Sequence, residues 1–318
     1  MPSFMKTAAA VLAFAAAATA LPAHPRLTRG QMKFYEYSKR QNAAAAALGL
    51  TDIDILQFAL TLEWLETAFY QQGFAKFPAS DFLALGLTQA QVNDLISIGA
   101  SEQAHVGLLQ GAIAQAGVKP VQPCTYNFGF TDAKGMVATA AVLENVGVSA
   151  YLGGAPLIAD GSILGTAGSI LTQEARHQTF IRVASQVAAA PGAFDTSLSP
   201  KQVFSLAAPF IQSCPEGSNL ILTAFPTLTM AAGAPAAAAI GSTINVESQA
   251  AAGAQFCSFT NGNIVGGTAF SPFTQGTGCT VPQGLAGVVY VNLVTQAPLT
   301  GKITDEIIMA GPMVMQIS

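Results

Sequence analysis

Two histidines of this chain, His105 and His177, each stand three residues after a glutamate, Glu102 and Glu174, inside stretches whose apolar residues recur at the helical period. Each of those stretches follows another in which a glutamate precedes a tyrosine by seven residues, first Glu63 and Tyr70, then Glu144 and Tyr151. The order along the chain is Glu-x6-Tyr, Glu-x-x-His, Glu-x6-Tyr, Glu-x-x-His. On a helix, a spacing of three puts both side chains on one face, and a spacing of seven is close to two turns. The doubled order predicts a duplicated two-helix unit with a pseudo-two-fold axis, its four helices turning one polar face each toward a common centre.

Start and stop signals frame those helices. Thr51-Asp52-Ile53-Asp54 reads as a cap, followed by apolar residues at helical spacing through about Gln72. Thr88 caps a second stretch, Gln89 to Ala116, which Gly117 and Pro120 end. A third starts at Thr131 or Asp132 and runs to about Leu152, where Gly153-Gly154-Ala155-Pro156 is expected to stop it. A fourth runs from about Ser162 to Ala190, before Pro191-Gly192, and Ser199-Pro200 opens a short fifth helix to Ile211. Residues 50–214 are thus expected to form a four-helix bundle with a short extra helix. From 215 to 318 the texture changes: Thr, Val, Ile and Phe alternate with small residues, and Gly and Pro punctuate. Ala286–Thr295 and Met309–Ile317 read as strands of a small β-rich region packed on the helices. The fold class is mainly α.

Four glutamates converging inside an apolar bundle would be costly to desolvate unless they took up protons or cations. Two divalent ions would neutralise about four carboxylate charges, and two neutral imidazoles would complete a set of hard and borderline donors. The competing reading places these glutamates on exposed helix faces. Against it, charges are only 9% of residues, and Glu63 and Glu144 each lie amid apolar neighbours, Leu62 and Leu65, Val142 and Leu143. Glu66, three residues after Glu63, is an alternative ligand, but the tyrosine spacing favours Glu63 and leaves Glu66 beside the ligands or exposed. Tyr70 and Tyr151 are expected to hydrogen-bond ligand carboxylates. Arg176 and Arg182 are expected to pair with the surplus of acids.

That surplus excludes one class of partner. Residues 1–40 hold six of the 13 Lys and Arg, so from residue 41 onward seven bases face sixteen acids, and the basic footprint of a nucleic-acid protein is missing. Lys6, the apolar run Ala8–Ala18 and Ala18-Thr19-Ala20 read as a signal peptide over residues 1–20. Residues 21–40, ending in Lys39-Arg40, read either as a short propeptide or as an exposed basic tail. The mean hydropathy of +0.45 raises the question of membrane spans. The strongest later candidate, Leu220 to Gly241, is interrupted by Pro226 and Pro235, so no transmembrane segment is expected in the mature chain.

Four cysteines in an exported chain suggest two disulfides, for which three pairings exist. Pairing Cys124 with Cys214 would tie the middle loop of the helical region to its end, and pairing Cys257 with Cys279 would close a local loop. Their spacings match no zinc motif.

The segments ILQFALTLEWLETAFY, SEQAHVGLL, LENVGVSAYLGGAPLI and LTQEARHQTFIR resemble the secreted ferritin-like domain family that includes fungal stress-response and late sexual development proteins and plant desiccation-related proteins. The resemblance covers roughly Leu50 to Ala190. It implies a four-helix bundle in which Glu63, Glu102, His105, Glu144, Glu174 and His177 hold two iron or manganese ions. Where iron-storage ferritins have long uninterrupted helices, this chain has Gly153-Gly154, which argues against cage assembly. The resemblance fixes no reaction. A secreted metal protein that oxidises Fe(II) or removes peroxide is the leading expectation, and a non-enzymatic protein of the cell surface or wall is the alternative.

Overall fold

The structure, a computed structural model, describes residues 49–216, 218, 222–232 and 238–317. The signal peptide, the propeptide or basic tail, His24 and part of the Leu220–Gly241 segment lie outside the described residues. The first helix, α1, spans Asp52–Lys76. Its capping box is the one read from sequence: Thr51 Oγ1 accepts from the Asp54 N–H, while the Asp54 carboxylate accepts from the Thr51 N–H. Helix α2 (Ala79–Ala84) was not anticipated. Six residues are too few to display a period, and the segment is held instead by Phe82, fully buried against Phe74 of α1.

Helix α3 (Gln89–Gln115) carries a second capping box, Thr88 with Gln91. Helix α4 (Ala133–Gly154) is capped by Asp132 and α5 (Gly161–Ala184) by Asp160. Two expected boundaries are corrected here. Gly153-Gly154 does not stop α4, which continues through both into a 3-10 turn over Ala155–Leu157. The missing side chain serves packing instead, because a Cβ on Gly153 would collide with the carbonyl oxygen of Leu198. Helix α5 ends at Ala184, six residues short of the Ala190 expected from sequence, and Gln186 follows in the left-handed region at φ 60°. There the chain folds back, and Arg182 Nε donates to the Ala188 carbonyl at 2.6 Å. Helix α6 (Pro200–Ala207) passes into a 3-10 turn before Ile211, since Pro209 has no N–H to continue the ladder.

Helix α1 packs chiefly against α3 and α4 against α5, with α1–α4 and α3–α5 contacts closing the bundle. This is the two-pair arrangement that the duplicated sequence order predicts. Leu60, Leu65, Phe69, Val106, Ile113, Met136, Ile170 and Ile181 are buried inside it. Each contributes roughly 1.5–3 kcal/mol on burial. Together with its following turn, α4 is long and apolar enough to cross a membrane (Ala133–Leu157, mean hydropathy 1.3), but it is a core element of the bundle.

Ten short strands complete the described residues. Strands β1 (Thr125–Tyr126) and β2 (Ile211–Ser213) pair antiparallel, next to the Cys124–Cys214 disulfide. Strands β3 (Thr229–Met230) and β5 (Val246–Glu247) form a second pair, and β4 (Thr243–Ile244) and β8 (Cys279–Thr280) a third. The main sheet has the order β10-β9-β6-β7, from β6 (Phe256–Thr260), β7 (Thr268–Pro272), β9 (Gly287–Val294) and β10 (Ile308–Ile317). The second disulfide, Cys257–Cys279, ties β6 to β8. Both pairings are those expected.

Tyr290 is the side chain through which the sheet hydrogen-bonds the centre of α4. Tyr290 of β9 is fully buried against Val146 of α4 with Leu198 and Val203. Its hydroxyl accepts from Asn145 Nδ2 at 2.6 Å, lies 2.9 Å from Ser149 Oγ and donates to the Asn145 carbonyl at 3.2 Å. Asn145 directly follows Glu144, so the same turn of α4 faces the bundle centre with one residue and the sheet with the next.

Candidate metal centre

Five glutamates and two histidines meet in the middle of the bundle, all buried: Glu63 and Glu66 from α1, Glu102 and His105 from α3, Glu144 from α4, Glu174 and His177 from α5. The exposed-face reading of the glutamates is thereby excluded. The donor atoms fall into two groups, Glu63, Glu102, His105 and Glu174 on one side and Glu102, Glu144, Glu174 and His177 on the other. Within each group the donors lie within 4.8 Å of one another. Glu102 and Glu174, the glutamates of the two Glu-x-x-His motifs, belong to both groups. Glu63 and His105 mark one end and Glu144 and His177 the other.

Both imidazoles turn Nδ1 inward. His105 Nδ1 lies 3.2 Å from Glu63 Oε2, 3.1 Å from Glu102 Oε2 and 3.3 Å from Glu174 Oε1. His177 Nδ1 lies 2.8 Å from Glu102 Oε1 and 3.1 Å from Glu144 Oε2. The two rings are nearly parallel, with centroids 6.2 Å apart. The tyrosines cross the bundle: Tyr70 of α1 donates to Glu144 of α4, and Tyr151 of α4 donates to Glu63 of α1. Each phenol thus serves the glutamate of the other half, a connection that spacing within one helix could not reveal.

The electrostatics ask for positive charge. Burial pushes Glu63 up to about 7, and Glu66, Glu144 and Glu174 also rise, through burial first and the neighbouring carboxylates second. Burial opposes the charged histidines, yet the carboxylates outweigh it and raise His105 to about 12 and His177 to about 10. Burial also acts to raise Glu102, but the two imidazoles beside it prevail and hold it at about 2. Glu174 Oε2 has no hydrogen-bond partner, and Oε1 meets only His105 Nδ1 at 3.3 Å, although the residue is fully buried. An unpartnered carboxylate oxygen at such a depth fits a cation. The donor set therefore suits a metal ion.

Glu66 is buried, with its Oε1 beside Glu174 in the space opened by Gly147. A Cβ on Gly147 would collide with Glu174 Oε2 and stand 3.2 Å from Glu66 Oε1. Gly147 was not singled out from sequence, although a signal exists: it follows Glu144 by three residues, as Glu66 follows Glu63. The duplicated halves carry an extra carboxylate in one and an absent side chain in the other, and the first fills the gap left by the second. Among the described residues neither Arg176 nor Arg182 pairs with an acid, contrary to expectation. Arg176 bonds Gln173 and Arg182 a backbone carbonyl.

The chain is similar to Protein rds1 of Schizosaccharomyces pombe, with 26% identity over 178 residues. The match covers 56% of this chain and 44% of that protein, so the chain spans less than half the length of this curated relative. The sequence model of the family described as ferritin-like domain matches residues 51–187. Those residues run from the cap of α1 to just beyond α5 and contain all seven side chains of the centre. By sequence and by the placement of these side chains, the helical bundle of this chain, residues 51–187, is similar to the ferritin-like domain family.

Proposed function

We propose that the protein binds two transition-metal ions, iron or manganese, between the four helices and uses them to oxidise Fe(II) or to remove peroxide. The single observation that carries the reading is the pair of overlapping donor groups with Glu102 and Glu174 in common. Shared carboxylates are the natural means of holding two cations close together, and the oxygen and imidazole donors suit iron and manganese. Glu63 and His105 would complete one position, Glu144 and His177 the other. Two adjacent redox-active ions supply one-electron steps toward oxygen species. The protein's own part is to orient the carboxylates through Tyr70 and Tyr151, to keep the interior dry through the surrounding Leu, Val and Ile side chains, and to release to solvent the protons of the glutamates and histidines that cations displace. The disulfides Cys124–Cys214 and Cys257–Cys279 support an exported protein, as such bonds persist in oxidising compartments.

Anaerobic loading with Fe(II), followed by air or by peroxide, tests the reaction. A ferric absorption band that grows faster than in protein-free buffer, and that is lost in Glu63→Ala or Glu144→Ala, is the expected result. Iron that binds yet oxidises no faster than in buffer would remove the enzymatic part of the reading. Manganese in the purified protein with rapid peroxide dismutation would select the peroxide branch over the oxidation of Fe(II).

A further inference from the structure

The two ends of the centre differ outside the ligands. One turn before each histidine the duplicated halves carry different residues, Ser101 before His105 and Gln173 before His177, and the residues just preceding the histidines are Ala104 and Arg176. The amide nitrogen of Gln173 stands 3.1 Å from His177 Nε2, the ring nitrogen turned away from the carboxylates. Gln173 is itself held, since its Oε1 accepts from Arg176 Nε at 3.1 Å and Nη2 at 2.8 Å. Among the described residues His105 has no such support, and its ring is bonded through Nδ1 alone. A cleft of about 220 Å3, walled by Asp94, Ser97, Ile98 and Phe180, opens over Gln173, Arg176 and His177.

A residue that holds the outer nitrogen of an imidazole sets how firmly the inner nitrogen points at a cation, and such support is worth about 10- to 100-fold in affinity. A cation on Nδ1 leaves the ring hydrogen on Nε2, and a half-turn of the Gln173 amide brings its oxygen there to accept it. We infer that Gln173 is a positioning residue for His177 and makes the Glu144–His177 end the tighter of two unequal cation positions. This rests on the two-cation reading above and adds to it that the pseudo-symmetry of the ligands is broken by their supports.

The test is an anaerobic Co(II) titration of the full chain, followed by visible absorption against a competing chelator. Wild-type protein should show two separable steps, the tighter one removed by His177→Ala. Gln173→Met, close in volume but without the polar end, should weaken the tighter step tenfold or more and leave the weaker one in place. Gln173→Glu, which offers one oxygen to Arg176 and another to His177, should restore it, and Ser101→Ala should alter neither step. The inference is overturned if Gln173→Met leaves both steps unchanged, if it weakens both alike, or if Gln173→Glu behaves as Gln173→Met does. Failure of wild-type protein to take up Co(II) would instead sink the two-cation reading, and this inference with it.

Discussion

Tyr70, on α1, donates its hydroxyl hydrogen to the carboxylate of Glu144 on α4, and the mirrored bond runs from Tyr151 to Glu63. The halves of the bundle are therefore linked through the groups that would hold cations. A buried carboxylate that loses such a donor loses about 1–3 kcal/mol. Tyr70→Phe and Tyr151→Phe are each expected to lower stability by that order while leaving the helical circular dichroism intact. In the Co(II)-loaded protein, Tyr70→Phe should alter the spectrum of the position that His177→Ala removes and Tyr151→Phe that of the other. An identical change from both variants would count against crossed support.

Acidity should govern the stability of protein stripped of cations. Glu63, raised to about 7, together with Glu66, Glu144 and Glu174, prefers its proton in the fold, so stability falls as pH climbs from the ordinary value of 4.5 through the raised ones. His105 and His177 stabilise fully below 6.5, and that contribution is lost as pH rises toward about 12 and about 10. Glu102 acts in the opposite sense, but only between about 4.5 and about 2. Chelator-treated protein is expected to melt at a lower temperature at pH 8 than at pH 5, and Mn(II) should restore the melting temperature most at pH 8. A stripped protein that melts higher at pH 8 would refute this account of the charges.

Gly147 and Gly153 lie on the same helix and should fail in different ways. Gly147→Ala drives a methyl group toward Glu174 Oε2, so the expected loss is metal content with the melting temperature little changed. Gly153→Ala meets the Leu198 backbone, which cannot rotate away as a side chain can. A drop in stability of about 1–3 kcal/mol is expected there with the centre intact. Metal analysis beside thermal melts separates the two, and a reversed pattern would contradict the packing described.

The disulfides close loops of different length. Cys124 and Cys214 are 90 residues apart and Cys257 and Cys279 are 22 apart. Loop-closure entropy gives about 4–5 kcal/mol for the longer loop and about 3 kcal/mol for the shorter. Unreduced, denatured protein should titrate with no free thiol, and replacing Cys124 and Cys214 by Ala should cost more in denaturant unfolding than replacing Cys257 and Cys279. Four titratable thiols would overturn the pairing and the support it lends to export.

The helices and six of the seven buried donor and acceptor residues were legible because they rest on local rules: capping pairs at Thr51 and Thr88, apolar periodicity, and a repeated spacing that places Glu102 with His105 and Glu174 with His177. Other features depend on which parts of the chain meet. That Tyr70 belongs with Glu144, that Gly147 makes room for Glu174 and Glu66, and that Tyr290 plugs onto Asn145 145 residues away are facts of tertiary packing. Gly153-Gly154 illustrates the difference. Glycine in a helical pattern reads locally as a stop, yet here it lets the backbone at Leu198 pass against an unbroken helix.

The central claim is that four helices hold two cations between shared carboxylates, and metal content per folded chain tests it most directly. Protein incubated with Fe(II) under anaerobic conditions or with Mn(II), freed of excess ion and measured by plasma mass spectrometry, should retain about two ions per chain. His177→Ala should reduce that number toward one. Removal of both shared ligands, in Glu102→Ala with Glu174→Ala, should reduce it to none while the helical signal persists. Folded wild-type protein that retains no ion, or a double variant that still retains two, would contradict the account.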